Sequence, residues 1–333
     1  MSGKKSNIRM IQKIIDRTPT WLFLIVAMLV MVFCTLMTMS EMGWLPFDMP
    51  NWSDLLNMSD SSAPYEPAVQ LSGEQTACVH FIDVGQGDSI LIQTREQAVL
   101  IDAGERDQGP AVCDYLKAAG VQKLDLVIAT HPHSDHIGGL ADVLAQFSAE
   151  EILMPALPDD MVPTTSVFLR LLDAVETQNI PVTAAKPGLS YDLGSGVVLT
   201  VLAPVQDYKD LNNYSVVCRL DSGETSFLFT GDAEKAAEAD LIAAGGDLRA
   251  DVLKAGHHGS STSSSDAFLN AVSPKIVAIS CGQNNDYGHP HKEVLASLSQ
   301  RGIAVYRTDL QGAVTLTTDG TDITVQTGKE AAQ

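Results

Sequence analysis

The stretch LDLVIATHPHSDHIGGLADVLAQF, residues 124–147, joins three patterns. Residues 124–130 are an apolar run short enough for a buried strand. Residues 137–147 open with Gly138-Gly139 and then space Leu140, Val143, Leu144 and Phe147 as a helix does. Between them lies HPHSDH, 131–136. Polar residues delivered from the carboxyl end of a strand into the start of a helix lie where α/β sheets build their sites. His131 and His133 alternate with Pro132, so both rings can turn to one side of an extended loop. Asp135 and His136 follow on the turn into the helix and can face a second point nearby. Imidazole and carboxylate suit zinc, manganese or iron rather than thiolate-loving ions.

Seven of the eight histidines fall in three short clusters: 131–136, His257-His258, and His289 with His291. His80 stands alone in an apolar run and is expected to be a packed or surface residue outside the site. FLFTGDAE (227–234) ends an apolar strand at Asp232. That carboxylate can bridge two metals, or cap the helix expected at 233–244. DVLKAGHHGSS (251–261) is a strand running into two histidines. One of His257 and His258 should close a metal site, and the other can bind substrate or serve as an acid. Lys254, His257, Ser260 and His289 are candidates to receive a phosphate or protonate a leaving group, although Lys254 and Ser260 read equally well as solvated loop residues. His291 can simply begin a helix. Asp83 and Asp88 bracket the turn VGQGDS, whose GxG lacks the third glycine of a dinucleotide fingerprint. Asp88 is placed near the metal edge.

The surrounding chain alternates between strands and helices. Strands are expected at 77–84, 88–94, 98–104, 151–154, 197–203, 214–220, 225–230, 250–255, 276–281, 303–307 and 312–318. Further helices are expected at 109–120, 164–178, 264–271 and 291–300. This pattern predicts one α/β domain, 77–327, with a short tail at 328–333. The 333 residues carry 21 Lys plus Arg against 41 Asp plus Glu, a net charge of −20. Such acidity argues against a broad basic face for nucleic acid, because that binding is driven by phosphate neutralisation. It leaves room for an anion admitted at a metal site. The five cysteines are scattered without CxxC spacing and read as free thiols.

Residues 1–20 form a basic tail, and 21–39 contain no charge. A helix rises about 1.5 Å per residue, so this stretch covers roughly the 30 Å hydrocarbon core and predicts a single transmembrane anchor over 21–40. Basic residues before it and acidic ones after it place the N-terminus in the cytoplasm and the domain outside the cell. A cleaved signal peptide would have a shorter apolar region and a small-x-small site, which is not evident. Residues 41–76 read as an acidic linker.

IDAG (101–104), THPHSDHIGG (130–139), TGDAE (230–234), LKAGHHGS (253–260) and YGHPH (287–291) appear in an order that resembles the metallo-β-lactamase fold superfamily. DVGQGDSILI (83–92), LNNYSVV (211–217) and YRTDLQGAV (306–314) are similar in particular to the extracellular hydrolase domain of ComEC-type competence proteins. The resemblance covers roughly 77–326. It implies a four-layer αββα sandwich with two divalent ions at one edge, zinc foremost and manganese as the alternative. His131, His133 and Asp232 would hold one ion; Asp135, His136, Asp232 and His258 would hold the other; Asp102 would orient a ligand imidazole from behind. It further implies a membrane-anchored metallo-hydrolase, a phosphodiesterase or nuclease, in which a metal-bound water gives up its proton near neutral pH and Asp135 orients it. The alternatives are a phosphoesterase on a small or cell-wall substrate of the phosphocholine or teichoic-acid type, and an exported binding module without catalysis. The chain departs from the superfamily pattern in having no histidine between 137 and 256. Asn212-Asn213 stands at about that place; an amide is the poorer ligand, so Asn213 is assigned near the site and the first ion is expected to be weakly held. One expected span does not make a DNA channel, so import would need a separate competence-type membrane channel as partner.

Overall fold

The computed structural model describes residues 28, 31–36, 38–40 and 71–329. In 71–329 fifteen strands form two sheets. The first comprises β1 (Ala77–Phe81), β2 (Ile90–Gln93), β3 (Ala98–Ile101), β4 (Leu126–Ile128), β5 (Ile152–Pro155), β6 (Val182–Ala185), β14 (Val314–Thr318) and β15 (Ile323–Thr327), in the order β15-β14-β1-β2-β3-β4-β5-β6. The second comprises β7 (Ser190–Asp192), β8 (Val197–Ala203), β9 (Val217–Ser222), β10 (Thr225–Phe229), β11 (Val252–Lys254), β12 (Ile276–Ile279) and β13 (Ala304–Arg307), in the order β13-β12-β11-β10-β9-β8-β7.

Period-two alternation sorts each strand between two cores. Val79, Phe81, Ile90, Ile92, Val99 and Ile101 of the first sheet share one core with Leu199, Leu220, Phe227, Phe229 and Val252 of the second. The intervening Leu91, Leu100 and Val127 turn outward to a second core beneath helices α1 (Gly109–Ala118), α3 (Leu140–Gln146) and α4 (Ser166–Gln178). Leu228, Leu253, Val277 and Ile279 face a third core beneath α5 (Lys235–Ala243), α6 (Asp266–Val272) and α7 (Lys292–Gln300). Three cores separate four layers, so the chain is the expected αββα sandwich. Each sheet is half parallel: β3 to β6 in one, β10 to β13 in the other. The carboxyl ends of β3, β4, β10 and β11 lead directly to Asp102, His131, Asp232 and His257-His258.

The structure adds elements that sequence patterning did not predict. β6 and β7 are short and largely exposed, and β15 is half-exposed at a sheet edge, so none is marked by a buried apolar run. The helix expected at 137–147 is instead two pieces, α2 (Ser134–Ile137) and α3, parted at Gly138-Gly139. A Cβ at Gly138 would collide with the backbone of Arg106, and one at Gly139 with the carbonyl of Ala103, so only glycine lets this turn pack against the 103–106 loop. His80 is buried, with Nδ1 3.0 Å from Tyr115 Oη and Nε2 3.1 Å from Gln93 Oε1. Residues 31–36 and 38–40 are helical. Among the described residues no helix is long and apolar enough to cross a membrane. Most of the span expected at 21–40, the tail 1–20 and most of the linker 41–76 lie outside the described residues.

Candidate metal centre

Asp102 leaves β3 in a left-handed conformation, φ 57°. Its Oδ1 accepts from Thr130 N–H at 2.9 Å, and its Oδ2 accepts from Thr130 Oγ1 at 2.6 Å and from His136 Nδ1 at 2.8 Å. This donation turns His136 Nε2 forward, where it lies 3.3 Å from Asp232 Oδ1. The Thr130 hydroxyl, having donated to Asp102, accepts from His131 Nδ1 at 3.1 Å, which leaves His131 Nε2 forward as well. His258 donates from Nδ1 to the Ser280 carbonyl at 3.0 Å. Its Nε2 then stands 3.2 Å from Asp135 Oδ2 and 3.5 Å from Asp232 Oδ2. Each imidazole is thus fixed from behind by an acceptor, the usual device for setting the tautomer of a metal ligand.

Asp135, His136, Asp232 and His258 each bring one ligand atom within 4.8 Å of the others. His136 Nε2, His258 Nε2 and Asp232 Oδ1 are buried without any hydrogen-bond partner. Buried polar atoms without partners are costly, and a divalent cation is the species that two carboxylates and two imidazole lone pairs would satisfy together. The residues therefore fit a metal. Around the other side of Asp232, His131 Nε2 lies 4.0 Å from Asp232 Oδ2 and 3.0 Å from His133 Nδ1. Asp232 stands between the two groups of histidines.

Without a metal the site balances its own charges. Burial raises the Asp232 carboxyl, but His258, His136 and His131 outweigh it and hold it well below the usual carboxylate range. Asp135 is likewise lowered, with burial overcome by His136 and His258. Burial works against charge on His136, yet Asp232, Asp135 and Asp102 push it well above the usual imidazole range. The same contest, with Asp232, Asp135 and Asp88 prevailing over burial, takes His258 to about 10. His131 goes the other way: burial, then His136, keep it well below its ordinary value and neutral.

His257 and His258 are separated by their backbones. Both are left-handed, φ 49° and φ 53°, a conformation that costs a non-glycine residue roughly 1–2 kcal/mol. The turn is held by His257 N–H to the Gly231 carbonyl and Ser260 N–H to the His257 carbonyl. It points His258 into the cluster and leaves His257 at its edge, with Nδ1 donating to Glu234 Oε1 at 3.2 Å and Nε2 3.7 Å from Asp232 Oδ2.

A cleft of about 330 Å³ opens over the cluster. His133, Asp135, Asp232, His257, His258 and His289 line it together with Asn212 of the Asn212-Asn213 pair, as do Gln86, Ser134 and Tyr287, which sequence reasoning did not single out. His289 is pressed down to about 4 by burial and by the neighbouring His258 and His257, so it is a neutral imidazole. Four expected site residues are placed elsewhere. Lys254 is fully buried, its Nζ 2.7 Å from Asp88 Oδ2 and donating to the Ala255 carbonyl, so it does not reach a substrate. Asn213 Oδ1 accepts from the backbone of Glu234 and Ala237 at the start of α5; its neighbour Asn212 faces the cleft instead. Ser260 Oγ is occupied by Thr262. Asp83 Oδ1 accepts from Gly85 N–H, and its charged neighbours are Lys329 and Asp309. Asp88 does stand behind the cluster: its Oδ1 is 3.4 Å from His258 Nδ1, and burial notwithstanding, Lys254 and His258 hold it down to about 2. Ser215, unforeseen, accepts from Asp232 N–H at 3.0 Å and lies 3.4 Å from His131 Nδ1. His291 begins α7 and accepts from Ser261 N–H.

A sequence model of the Metallo-beta-lactamase superfamily matches residues 82–283. ComE operon protein 3 of Bacillus subtilis is 32% identical over 271 residues, 74% of this chain and 33% of that protein. Competence protein ComA of Neisseria gonorrhoeae is 34% identical over 244 residues, 72% of this chain and 32% of that one. The chain therefore spans about a third of the length of these relatives. Among solved structures, CmlA, a diiron beta-hydroxylase from Streptomyces venezuelae, superposes with a TM-score of 0.50 at 15% identity, covering 73% of this chain and 54% of that one, a likeness of fold alone.

Proposed function

This chain belongs to the metallo-β-lactamase superfamily, and from that premise we propose that it is a metal-dependent phosphodiesterase acting on nucleic acid. The observation that carries the reading is the convergence of Asp135, His136, Asp232 and His258 on one point at the floor of an open cleft. The relative named Competence protein ComA, at 34% identity, supports DNA as the polymer.

Bound divalent ions, one or two, zinc or manganese, would supply Lewis-acid charge at a phosphoryl oxygen and lower the pKa of a water. His136, Asp232, His258 and Asp135 would hold one ion, and His131, His133 and Asp232 the other. The chain's own groups do the rest. The Asp135 side chain is 23% exposed at the cleft and can accept a hydrogen bond from the attacking water, setting its lone pair toward phosphorus. His257 Nδ1 donates to Glu234, so its Nε2 faces the cleft; in the doubly protonated imidazolium form that nitrogen carries a proton it can pass to the leaving oxygen, and the ring is left neutral. Neutral His289 and the Asn212 amide can hydrogen-bond the substrate.

We place the domain outside the cell on a single-pass anchor, with a cytoplasmic N-terminus and a separate competence-type channel as partner; the uncharged stretch at 21–39 behind a basic tail supports this arrangement. A second reading, hydrolysis of a small or cell-wall phosphoester, is favoured by one observation: among the described residues no Lys or Arg lines the cleft.

The test is to load the protein with zinc or manganese and offer single-stranded DNA, bis-p-nitrophenyl phosphate, a phosphocholine ester and a chromogenic cephalosporin. Cleavage of DNA, lost in Asp232→Ala, supports the first reading. Cleavage of only the small esters moves the assignment to the second. No turnover by a metal-loaded, folded protein removes both.

A further inference from the structure

Tyr287 is the exposed aromatic of the cleft wall, 67% accessible. One face of its ring lies against His289, with centroids 5.6 Å apart and planes 20° apart. His289 in turn stacks on His258, at 6.2 Å and 28°. With His289 beside the ring on one side and 67% of the residue accessible, Tyr287 keeps a large solvent-facing surface at the cleft. A flat apolar ring left open in this way, next to a cation site, is a ready partner for another flat ring. The electrostatics of the cleft point the same way. The chain carries a charge of −20, and among the described residues no Lys or Arg lines the cleft, so the cleft itself offers little counterion release along the phosphates. Stacking is uncharged and meets no such penalty. It is also tolerant of sequence, because every base has a π-face.

We propose that Tyr287 is a stacking platform for the nucleobase next to the phosphate held at the metal cluster, and that it selects unpaired nucleotides. This rests on the phosphodiesterase reading and adds to it the moiety recognised. Tyr287 binds and does not take part in the chemistry. Base stacking on an aromatic side chain corresponds to roughly a five- to 150-fold change in affinity.

The experiment measures binding of AMP, ribose 5-phosphate and phosphocholine to the metal-loaded protein by calorimetry, for the unmutated chain, Tyr287→Phe and Tyr287→Ala. AMP should bind roughly fivefold or more tightly than ribose 5-phosphate to the unmutated protein and to Tyr287→Phe, and the gap should close in Tyr287→Ala. Cleavage of a single-stranded oligonucleotide should lose the same factor in kcat/KM in Tyr287→Ala, while an abasic substrate should be insensitive to the change. Equal binding of AMP and ribose 5-phosphate, a gap that survives Tyr287→Ala, or a Tyr287-dependent preference for phosphocholine over AMP would overturn the proposal. If no oligonucleotide is cleaved but the AMP gap follows Tyr287, the platform stands and the phosphodiesterase reading alone falls.

Discussion

His136 donates its Nδ1 proton to Asp102 Oδ2 at 2.8 Å, while its Nε2, 3.3 Å from Asp232, has no hydrogen-bond partner. One carboxylate therefore holds the ring from behind and keeps its other nitrogen free for a cation. Asp102→Asn keeps the shape but replaces the anionic acceptor by an amide. Metal affinity should fall by roughly 10–100-fold, as for other groups that support a ligand imidazole, and chelator competition would measure it. Unchanged affinity would mean that Asp102 only braces Thr130.

Metal uptake should release protons. In the metal-free site His136 and His258 are raised above the ordinary imidazole range, His258 to about 10, so both rings are charged at neutral pH. Each must lose its proton before Nε2 can bind a cation. Apparent affinity should therefore rise with pH up to about 10. Calorimetry in two buffers of different ionisation enthalpy would count the protons released. For the metal-free protein the sign is opposite. The folded value lies above the unfolded one, so the charged rings stabilise the fold fully below about 6.5, and that contribution is lost as pH rises through about 10.

Lys254 and Asp88 form an ion pair in which neither side chain is more than 1% exposed. Removing one partner strands a buried charge, so Lys254→Met should destabilise by about 3–5 kcal/mol. The double variant Lys254→Met/Asp88→Leu should cost less than the two single changes added together. Chemical denaturation of the three variants is the check. Additive losses would show that the pair is not coupled.

Asn212 and Asn213 should separate by phenotype. Asn213→Ala removes the acceptor of the Glu234 and Ala237 N–H groups and should destabilise by about 1–3 kcal/mol. Asn212→Ala should leave the melting temperature nearly unchanged and lower kcat/KM, because Asn212 faces the cleft. The reverse pattern would reassign the two amides.

Much of this architecture was legible because it is written locally. The strands inside the two sheets announce themselves as buried apolar runs, whereas β6, β7 and β15 lie at exposed sheet edges and carry no such mark. Gly138-Gly139 reads as a helix opening. That it interrupts the helix follows only from the backbone of Ala103 and Arg106 packed against it, which is remote in sequence.

The amino-acid sequence by itself determined the chemistry of the centre: imidazoles and carboxylates at the ends of apolar strands, in an order that marks the superfamily. It did so because a ligand set at a strand end is a contiguous motif. The residues alone left open which member of each adjacent pair takes part; the resemblance implied His258, and the tertiary structure supplies the physical reason. His258 enters the cluster and His257 edges it because two left-handed backbones turn their side chains apart. Lys254, which reads as a loop residue from its neighbours, is buried because β11 and the β1–β2 loop bring it against Asp88. Burial and facing depend on what packs against a residue from far along the chain, and no local pattern carries that information.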